Sequence, residues 1–518
     1  MNKLLNLPLL GLLLLFSTHL SARIYDIREL GADPSGKNKC TQLINNTIKQ
    51  AAAEGGGTLY FPAGDYLTAA IHLQSNITLH LESGATLLFS DDFEDYLPFV
   101  RMRWEGVFMN SLSPLIYAHG AENITITGRG TINGRGHKWW KESLRIIQEI
   151  KDNNGKTTTL NELQRMWADA NKEIVYESYY AGTIERKFFR PPLIQLLECK
   201  NIRIEGVTVE NSPFWTINPE GCDNIVISGV TVFNPWANPK GHNTDGINPS
   251  SCRNVRISDC FISVGDDCIT IKSGRDRDGR NYGRPCENLT ITNCVMLTGH
   301  GGVVIGSEMS GSVKKVTISN CVFNGTNAGI RLKASRGRGG VVEEIRVDNI
   351  VMNDIQRDAF IFDLFYDKTS KEEPVTERTP VFRNIHLSNI TGNNVNSIGY
   401  ISGIEEMPVS NLSFTNINMR GKTGFRAATA SGLVFDNVDF SVEKGSPFVF
   451  ENCKDILLNN VRSSVLRPEE PVVEVKGVDH ILVNNCFQMT PVDLFLRSMD
   501  SNVIWGNNFM DKVKTPMR

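Results

Sequence analysis

A short alternation of apolar and polar residues recurs through the C-terminal two thirds of the chain. Each copy has an anchor residue, usually Asn, followed by apolar, any, apolar, any, any, and then Val, Ile or Cys. This alternation is typical of a β-strand with one buried face. The copies begin at Asn201, Asn224, Asn254, Asn288, Asn384 and Asn411, with the same register at Lys315, Glu344, Gly432, Asp455 and His480 and looser copies at Asn76 and Asn123.

One strand of this length cannot bury a face alone, whereas stacked copies form one continuous core. The pattern therefore predicts an all-β fold, a single-domain right-handed parallel β-helix whose coils lie about 4.8 Å apart. The spacing leaves no room for a crossover helix in each repeat, which argues against a doubly wound sheet or a TIM barrel. The anchor Asn suits a turn that needs a left-handed backbone. A leucine-rich solenoid is the second interpretation, but the LxxLxL signature is absent.

Two segments depart from the repeat. Ser35 to Glu54 has apolar residues at helical spacing, which predicts a short N-terminal capping helix over the open end of the coil stack. Trp139 to Pro192 is charged and rich in aromatic residues, so we expect a long loop insertion there. It is either a packed surface excursion or a wall of a binding cleft.

Residues 1–22 have the features of a signal peptide: Lys3, an apolar run from Leu4 to Phe16, and small residues up to Ala22. The apolar run is too short to span a bilayer as a helix. We therefore expect residues 23–518 to form the mature β-helix domain, a periplasmic or secreted location, and no membrane span.

Charge and cysteine usage narrow the choice of partners. Lys and Arg total 54 and Asp and Glu total 57, for a net charge of −3, so no general basic field favours nucleic acid. A polyanionic partner would have to be held by local basic residues. Nine of the eleven cysteines fall into two columns of the repeat, which favours buried free thiols over disulfides. No spacing of Cys and His supports a zinc site.

Candidate chemistry is concentrated between residues 242 and 334, in four segments that fall at one place on four successive coils. The segments are GHNTDGI at 241–247, GDDCITIK at 265–272, GHGGVVIG at 299–306 and NAGIRLK at 327–333. Aligning the apolar residues Ile247, Ile269, Val303 and Ile330 places Asp245 beside Asp267, and Asp266 beside His300. Arg331 and Lys333 follow on the fourth coil and point to the same side.

Carboxylates held this close raise the pKa of at least one of them. One protonated acid beside ionised neighbours is what hydrolysis of a glycosidic bond requires. Each motif is weak alone, and it is their order and shared register that indicate a catalytic site.

The segments NTD, DD, GHG and RLK resemble, in order, the motifs of the polygalacturonase family of pectin-degrading glycoside hydrolases (family 28), although the fourth motif there is usually RIK. The resemblance implies hydrolysis of α-1,4-galacturonosyl bonds with inversion and without a metal or other cofactor. The expected partner is an anionic polysaccharide, pectin or polygalacturonate. The oligomeric state is left open.

The resemblance also implies roles. Asp266 is similar to the general acid, Asp245 and Asp267 to the pair that activates water, and His300 to the residue that keeps the acid protonated. Arg331 and Lys333 resemble the cations that bind the galacturonate carboxylate. The expected substrate-binding residues are Asn243, Arg331, Lys333 and, as the sugar-contacting aromatic, Tyr366, with Phe365 as its competitor.

Three alternatives remain open at this point. A rhamnogalacturonan hydrolase shares the scaffold, but such enzymes usually lack the Arg and Lys of the fourth motif. A pectate or rhamnogalacturonan lyase typically needs calcium and a basic proton abstractor. A non-catalytic carbohydrate-binding β-helix would leave the aspartate cluster without a purpose.

Exo action is favoured over endo action, because the insertion 139–192 lies on the N-terminal side of the catalytic coils and could block one end of the groove. Its cations Arg186, Lys187 and Arg190 could meet the carboxylates of a chain end. The segment FWTINPEG at 214–221 also resembles exo-acting bacterial members of the family.

Overall fold

The computed structural model describes residues 23–154, 160–174, 187–368, 370–464 and 467–518. The predicted signal peptide lies outside them, as do Arg186, Tyr176, Tyr179 and Tyr180 of the insertion. A 31-stranded sheet and a 4-stranded sheet, both built from parallel ladders, wind around one core. The predicted right-handed parallel β-helix is confirmed. Within the described residues, no helix combines the length and apolar character that crossing a membrane requires.

The anchor positions of the repeat are turns with a left-handed backbone. Asn201, Asn224 and Asn254 have φ values of 55°, 55° and 57°, and the non-Asn anchors Lys315 and Glu344 have 57° and 56°. Asn tolerates this region better than most residues, because its short side chain bonds locally. The anchor amides also stack between coils, with Asn224 Nδ2 donating to Asn201 Oδ1 at 2.9 Å. The repeat therefore encodes the turn at which each coil enters its strand.

The helix has three faces. The face that follows the anchors contains Arg23–Asp26, Gly57–Phe61, Ile77–Leu81, Glu122–Gly128, Lys200–Glu205, Asp223–Ser228, Arg253–Ser258, Cys286–Thr292, Lys454–Asn459, Asp479–Asn484 and Val503–Trp505. The second face contains Gly64–Thr68, Ala85–Phe89, Thr131–Asn133, Thr208–Glu210, Thr231–Phe233, Phe261–Ser263 and Val295–Met296.

The third face carries the candidate site and is called the site face. Its strands are Ile71–His72, Ile116–His119, Ile194–Leu197, Ile217–Glu220, Ile269–Ile271, Val303–Gly306, Ala328–Lys333, Asp358–Asp363, Phe448–Glu451, Val473–Lys476, Val492–Met499 and Val513–Met517. Longer strands turn the corners between faces: Val313–Asn324, Val341–Asn353, Val381–Ser402, Val409–Ala428 and Ala430–Val442.

The core consists of columns of like side chains on successive coils. On the site face Ile247 lies beside Ile269, Ile269 beside Val303, and Val303 beside Ile330, as the motif alignment predicted. All four side chains are essentially buried. All eleven cysteines are buried and free, so they act as small apolar core residues, as predicted.

Among the described residues, four helices lie outside the coils: α1 (Thr41–Ala53), α2 (His137–Asp152), α3 (Glu162–Ala170) and α4 (Asp276–Tyr282), with a 3₁₀ turn at Phe93–Tyr96. Helix α1 buries Ile44, Thr47, Ile48 and Ala51 against the first coils, which confirms the predicted helix in this segment. Asn45 of α1 also accepts a hydrogen bond from the His72 backbone N–H at 2.9 Å.

The insertion forms α2 and α3 and packs on the protein surface through its aromatic side chains. Trp139, Trp140 and Trp167 are almost completely buried. The Trp167 indole N–H donates to Ser111 Oγ at 2.7 Å. Ser111 ends an antiparallel hairpin, Val100–Trp104 paired with Val107–Ser111, that lies over the site face. The described part of the insertion therefore supports this hairpin.

Candidate active site

Three of the four sequence segments line one cavity of about 450 Å³ on the site face, and the segment 299–306 contributes His300, which contacts Asp266 from outside this lining. Its lining includes Asn243, Asp245, Asp266, Asp267, Lys333 and Tyr366 from the predicted set. It also includes residues that the sequence motifs did not identify, namely Glu105, Trp215, Lys272, Arg275, Asp276, Ser307, Glu308, Ser335, Arg336, Arg338 and Asp367. The coil register brings the carboxylates together, since Asp245 and Asp267 each lie two residues before the stacked Ile247 and Ile269.

Asp245 is buried, with 3% of its surface exposed. Its Oδ2 accepts a hydrogen bond from Thr270 Oγ1 at 3.3 Å and lies 3.7 Å from Lys272 Nζ. Burial and the negative charge of Asp266 raise the pKa of Asp245 well above its ordinary value, while Lys272 opposes this shift. Asp245 therefore keeps a proton more readily than an ordinary aspartate does.

Asp266 is the more accessible carboxylate, with 15% of its side chain exposed. His300 Nδ1 lies 2.9 Å from Asp266 Oδ1, and Asn243 Nδ2 lies 3.5 Å from Asp266 Oδ2. Burial alone would raise the pKa of Asp266, but the hydrogen bond with His300 and the charges of Lys333 and Lys272 lower it well below its ordinary value. The expectation of one raised pKa thus holds for Asp245, whereas the resemblance had implied that the proton is kept on Asp266.

Asp267 is 1% exposed and pairs with the fourth-coil lysine, Lys333 Nζ donating to Asp267 Oδ2 at 2.8 Å. Its Oδ1 is buried and has no hydrogen-bond partner among the described residues. A buried carboxylate oxygen without a partner is costly, so it is a natural acceptor for a substrate or water hydrogen.

Arg331 differs from the other cations of the site. Among the described residues it forms no ion pair, and its Nε is buried without a hydrogen-bond partner. Its guanidinium carbon lies 5.6 Å from the centre of the Tyr366 ring, and Lys333 Nζ lies 5.5 Å from it. Tyr366 is 45% exposed, whereas the competing Phe365 packs against the core. The structure thus places Tyr366 with the two cations of the fourth motif.

The sequence motifs predicted no role for Lys272, although Lys272 is the last residue of the segment 265–272. Lys272 Nζ donates to Glu308 Oε2 at 2.9 Å, and both side chains line the cavity. Burial disfavours the charge of Lys272, but Glu308, Asp245 and Asp267 reverse this effect and raise its pKa. The register could have found it, because Lys272 lies three residues after Ile269 just as Lys333 lies three residues after Ile330.

The hairpin 100–111 borders the cavity, because its residue Glu105 belongs to the lining. Arg103 is 0% exposed and reaches the site face, where its NH1 lies 3.3 Å from Glu220 Oε2 and 3.1 Å from Ser251 Oγ. The Arg103 backbone also exchanges hydrogen bonds with the side chain of Gln195, at 3.2 and 2.7 Å. Gln195 and Glu220 point outward from their coils yet are completely buried. The hairpin therefore covers this part of the site face.

Arg190, one of the cations expected to meet a chain end, has a structural role instead. It is 2% exposed, and its guanidinium donates to the carbonyl oxygens of Pro213 and His242 at 3.0 and 2.6 Å. It also donates to Asn243 Oδ1 at 2.8 Å, which orients the Asn243 amide toward Asp266. The expectation for Arg190 was wrong, because its side chain is buried and its NH1 and NH2 groups donate to these internal acceptors. Lys187 lies 3.9 Å from Glu105, a residue that lines the cavity.

In the described ranges, one group of acidic and imidazole side chains is compact enough to share a cation: the ligand atoms of Asp266, Asp267 and His300 lie within 4.8 Å of one another. Ammonium groups already face this group, however. Lys333 donates to Asp267, and Lys240 Nζ lies 2.9 Å from His300 Nε2. Two neighbouring positive charges disfavour a metal cation here.

The carboxylates of Asp245, Asp266 and Asp267 and several cations line one cavity of a β-helix, and His300 contacts one of these carboxylates. A group of neighbouring carboxylates is typical of enzymes that cleave glycosidic bonds. The model of the family "Glycosyl hydrolases family 28" matches residues 178–435. A probable polygalacturonase from Vitis vinifera is 30% identical over 406 residues, which cover 77% of this chain and 74% of the relative. The chain therefore belongs to glycosyl hydrolase family 28, and it is a glycosidase.

Two further relatives have names that specify exo action. An exo-poly-alpha-D-galacturonosidase from Dickeya chrysanthemi is 26% identical over 465 residues, covering 84% of this chain and 74% of the relative. The crystal structure of a hyperthermoactive exopolygalacturonase from Thermotoga maritima matches with a TM-score of 0.66 and 29% identity, covering 81% of this chain and 91% of the other.

Proposed function

We propose that this enzyme hydrolyses α-1,4-galacturonosyl bonds of polygalacturonate or pectin by an inverting mechanism and releases units from a chain end. The main support for this class of substrate is the environment of the Arg331 side chain. Within the part of the chain that the structure describes, the Arg331 guanidinium has no ion-pair partner and its Nε has no hydrogen-bond partner. With Lys333 and Tyr366 beside it, this guanidinium suits the carboxylate and ring of a galacturonate unit. The names of the relatives support the same substrate.

Asp266 acts as general acid in this proposal. It is the most exposed of the three carboxylates, and its Oδ2 is on the side of Asn243, which lines the cavity. The proton reaches it when substrate binds. A galacturonate carboxylate on Arg331 and Lys333 offsets the positive charge of Lys333, one of the charges that lower the pKa of Asp266. Asp266 then protonates the leaving oxygen.

Asp245 and Asp267 position and deprotonate the attacking water. Oδ1 of Asp267 is the available acceptor, while Lys333 balances the charge on Oδ2. Asp245 must be ionised to take part, and Lys272 at 3.7 Å favours its charged form. A redistribution of one proton from Asp245 to Asp266 prepares both the acid and the base. No step of this sequence uses a metal or another cofactor.

Exo action is supported by the hairpin 100–111. An enzyme that cuts inside a chain needs a groove that continues past the catalytic coils on both sides. Here Arg103 ties the hairpin to Glu220, and Glu105 from the same hairpin lines the cavity. A chain that entered from the C-terminal side would therefore end at the hairpin. We also propose export to the periplasm or the exterior, where pectin is found.

The test is the time course of products from polygalacturonate in EDTA, with Asp266→Asn as the matched control. Reducing ends should appear without unsaturated products, from the earliest times as one small product, while viscosity falls slowly per bond cut. Asp266→Asn should remain folded and lose roughly 10²- to 10⁴-fold in kcat, because the amide cannot donate the proton. Unsaturated products or loss of activity in EDTA would contradict hydrolysis. An early ladder of mixed oligomers would contradict exo action alone.

A further inference from the structure

Lys240 is in contact with His300, outside the four sequence motifs. Its Nζ lies 2.9 Å from His300 Nε2, while His300 Nδ1 lies 2.9 Å from Asp266 Oδ1. The ammonium lies 4.1 Å from the centre of the Trp236 ring, and the edge of Trp236 meets the His300 ring at 5.3 Å. The cation–π contact keeps the ammonium against the imidazole. Neither Lys240 nor His300 lines the cavity.

The chemistry of the contact fixes the histidine tautomer. A lysine ammonium has three donors and no acceptor. While Lys240 is protonated, His300 Nε2 accepts the hydrogen bond from Lys240, and the ring proton is then on Nδ1, where it is donated to Asp266 Oδ1. An imidazolium, which carries hydrogens on both nitrogens, would place an N–H against the ammonium.

We propose that Lys240 is a positioning residue that keeps the catalytic proton on Asp266 by preventing its residence on His300. When the His300–Asp266 pair binds one extra proton, that proton can reside on either of two atoms. It is either on His300 Nε2, which gives an imidazolium and a carboxylate, or on Asp266 Oδ2, which gives a neutral imidazole and a carboxylic acid. The Lys240 donor bond is compatible with the second arrangement only. In that arrangement the proton faces Asn243 and the cavity, where the leaving oxygen is expected.

The other charged groups near this pair do not select between the two arrangements in the same way. Asp267 lies beside Asp266 and His300, and Lys333 and Lys272 act on Asp266 from the facing coils. His242, near Lys240, is neutral at the pH of the assays below, because burial and Arg190 lower its pKa to about 4. Burial lowers the pKa of Lys240 itself, and the charge of Asp266 opposes this effect. Only Lys240 contacts Nε2 among the described residues.

The inference rests on the proposed function for its kinetic consequences, and on structure alone for the tautomer. Lys240→Met should lower the plateau of kcat about tenfold, a part of the roughly 10²- to 10⁴-fold due to acid catalysis. It should also move the alkaline limb of the kcat profile to higher pH, since a neighbouring cation no longer opposes protonation of the pair. Lys240→Arg should restore most of the plateau and the position of the limb. Lys200→Met removes a lysine from an exposed strand position and is the matched control.

The direct measurement is ¹⁵N magnetic resonance of histidine-labelled enzyme, with His300→Gln to assign the signal among the nine histidines. Wild-type His300 should be protonated on Nδ1 and unprotonated on Nε2, and Lys240→Met should gain a proton on Nε2 at the same pH. A protonated Nε2 in the wild type, or an unchanged tautomer in the variant, would overturn the proposal. A lower rate with an unmoved pH limb would also overturn it, because that is the result of a purely structural role. If the tautomer shifts but no galacturonan is hydrolysed, the proposed function fails and the role of Lys240 stands.

Discussion

Arg103 offers the sharpest test of why this enzyme should act on chain ends. The Arg103 guanidinium joins the hairpin 100–111 to three distant parts of the chain: Glu220 at 3.3 Å, Ser251 at 3.1 Å and Asp278 of α4 at 3.4 Å. It also lies 4.8 Å from the centre of the Tyr282 ring. Arg103→Ala removes all of these contacts and leaves Glu220 buried without its cation.

We estimate the loss of stability in Arg103→Ala from the burial of both partners, since each side chain of the Arg103–Glu220 pair is 0% exposed. Removing one partner of a buried ion pair typically costs about 3–5 kcal/mol. The lost contacts all involve the hairpin, so we expect the hairpin to open while the coils remain intact. The site face on the N-terminal side of the cavity would then be uncovered, and longer chains could bind across the catalytic coils.

Two measurements check this expectation. Amide hydrogen exchange in residues 100–111 should accelerate in Arg103→Ala, and the viscosity of a pectate solution should fall faster per bond cut than with the wild type. Arg101→Ala is the matched control, because Arg101 belongs to the same hairpin and has an exposed side chain that stacks on Phe108, at 4.7 Å.

The double variant Arg103→Ala/Glu220→Gln separates stability from groove opening. It removes the unpaired carboxylate, so it should recover part of the lost stability while the hairpin stays detached. A hairpin that exchanges rapidly in Arg103→Ala, together with unchanged single-product release, would refute the idea that the hairpin imposes exo action.

Two further predictions concern Arg331 and Glu220. Arg331→Ala should raise KM for galacturonate oligomers about tenfold to a hundredfold, because a hydrogen bond to a charged group contributes about 1.5–3 kcal/mol; an unchanged KM would contradict the carboxylate-binding role. Burial raises the pKa of Glu220 to about 7, above its ordinary value of 4.5, so its contribution to stability is complete at pH below about 4.5 and is lost as pH rises through 7. This difference in pKa corresponds to about 3 kcal/mol of unfolding free energy. Glu220→Gln should therefore flatten this part of the stability–pH curve, measured by denaturant unfolding. Parallel curves for wild type and variant would show that Glu220 is not the titrating group.

The coil stack and the proximity of the motifs could be predicted, because the sequence repeat determines the register of a β-helix. Each anchor fixes a turn, and each apolar residue fixes which neighbours share its column. Once Ile247, Ile269, Val303 and Ile330 are aligned, the relative places of Asp245, Asp267 and Lys333 follow without any knowledge of the turns between them. Lys272 was within reach of the same reasoning.

The hairpin and the Lys240 contact could not be predicted in this way, because both lie in segments without a repeat. Arg103 meets partners 117 to 175 residues away, and Lys240 meets His300 across 60 residues. Such contacts depend on how loops fold back on the coils. The location of the proton was also beyond the sequence, because it depends on burial and on the sum of several charges. The like-charge argument required one raised pKa but could not assign it to Asp245.

The two sides of the candidate site differ in whether their cations are paired with carboxylates. On the hairpin side, Lys272 is paired with Glu308, and Arg275 with Glu105, at 2.9 and 3.1 Å. Arg331, on the coil that follows the GHG segment, has no ion-pair partner among the described residues. A polyanionic chain therefore gains most from placing a carboxylate at Arg331, and gains little from displacing the carboxylates that already hold the other cations. In the proposed function that carboxylate also meets Lys333, which is paired with Asp267, so the contact proposed to hold the substrate would also alter the charges around the three aspartates.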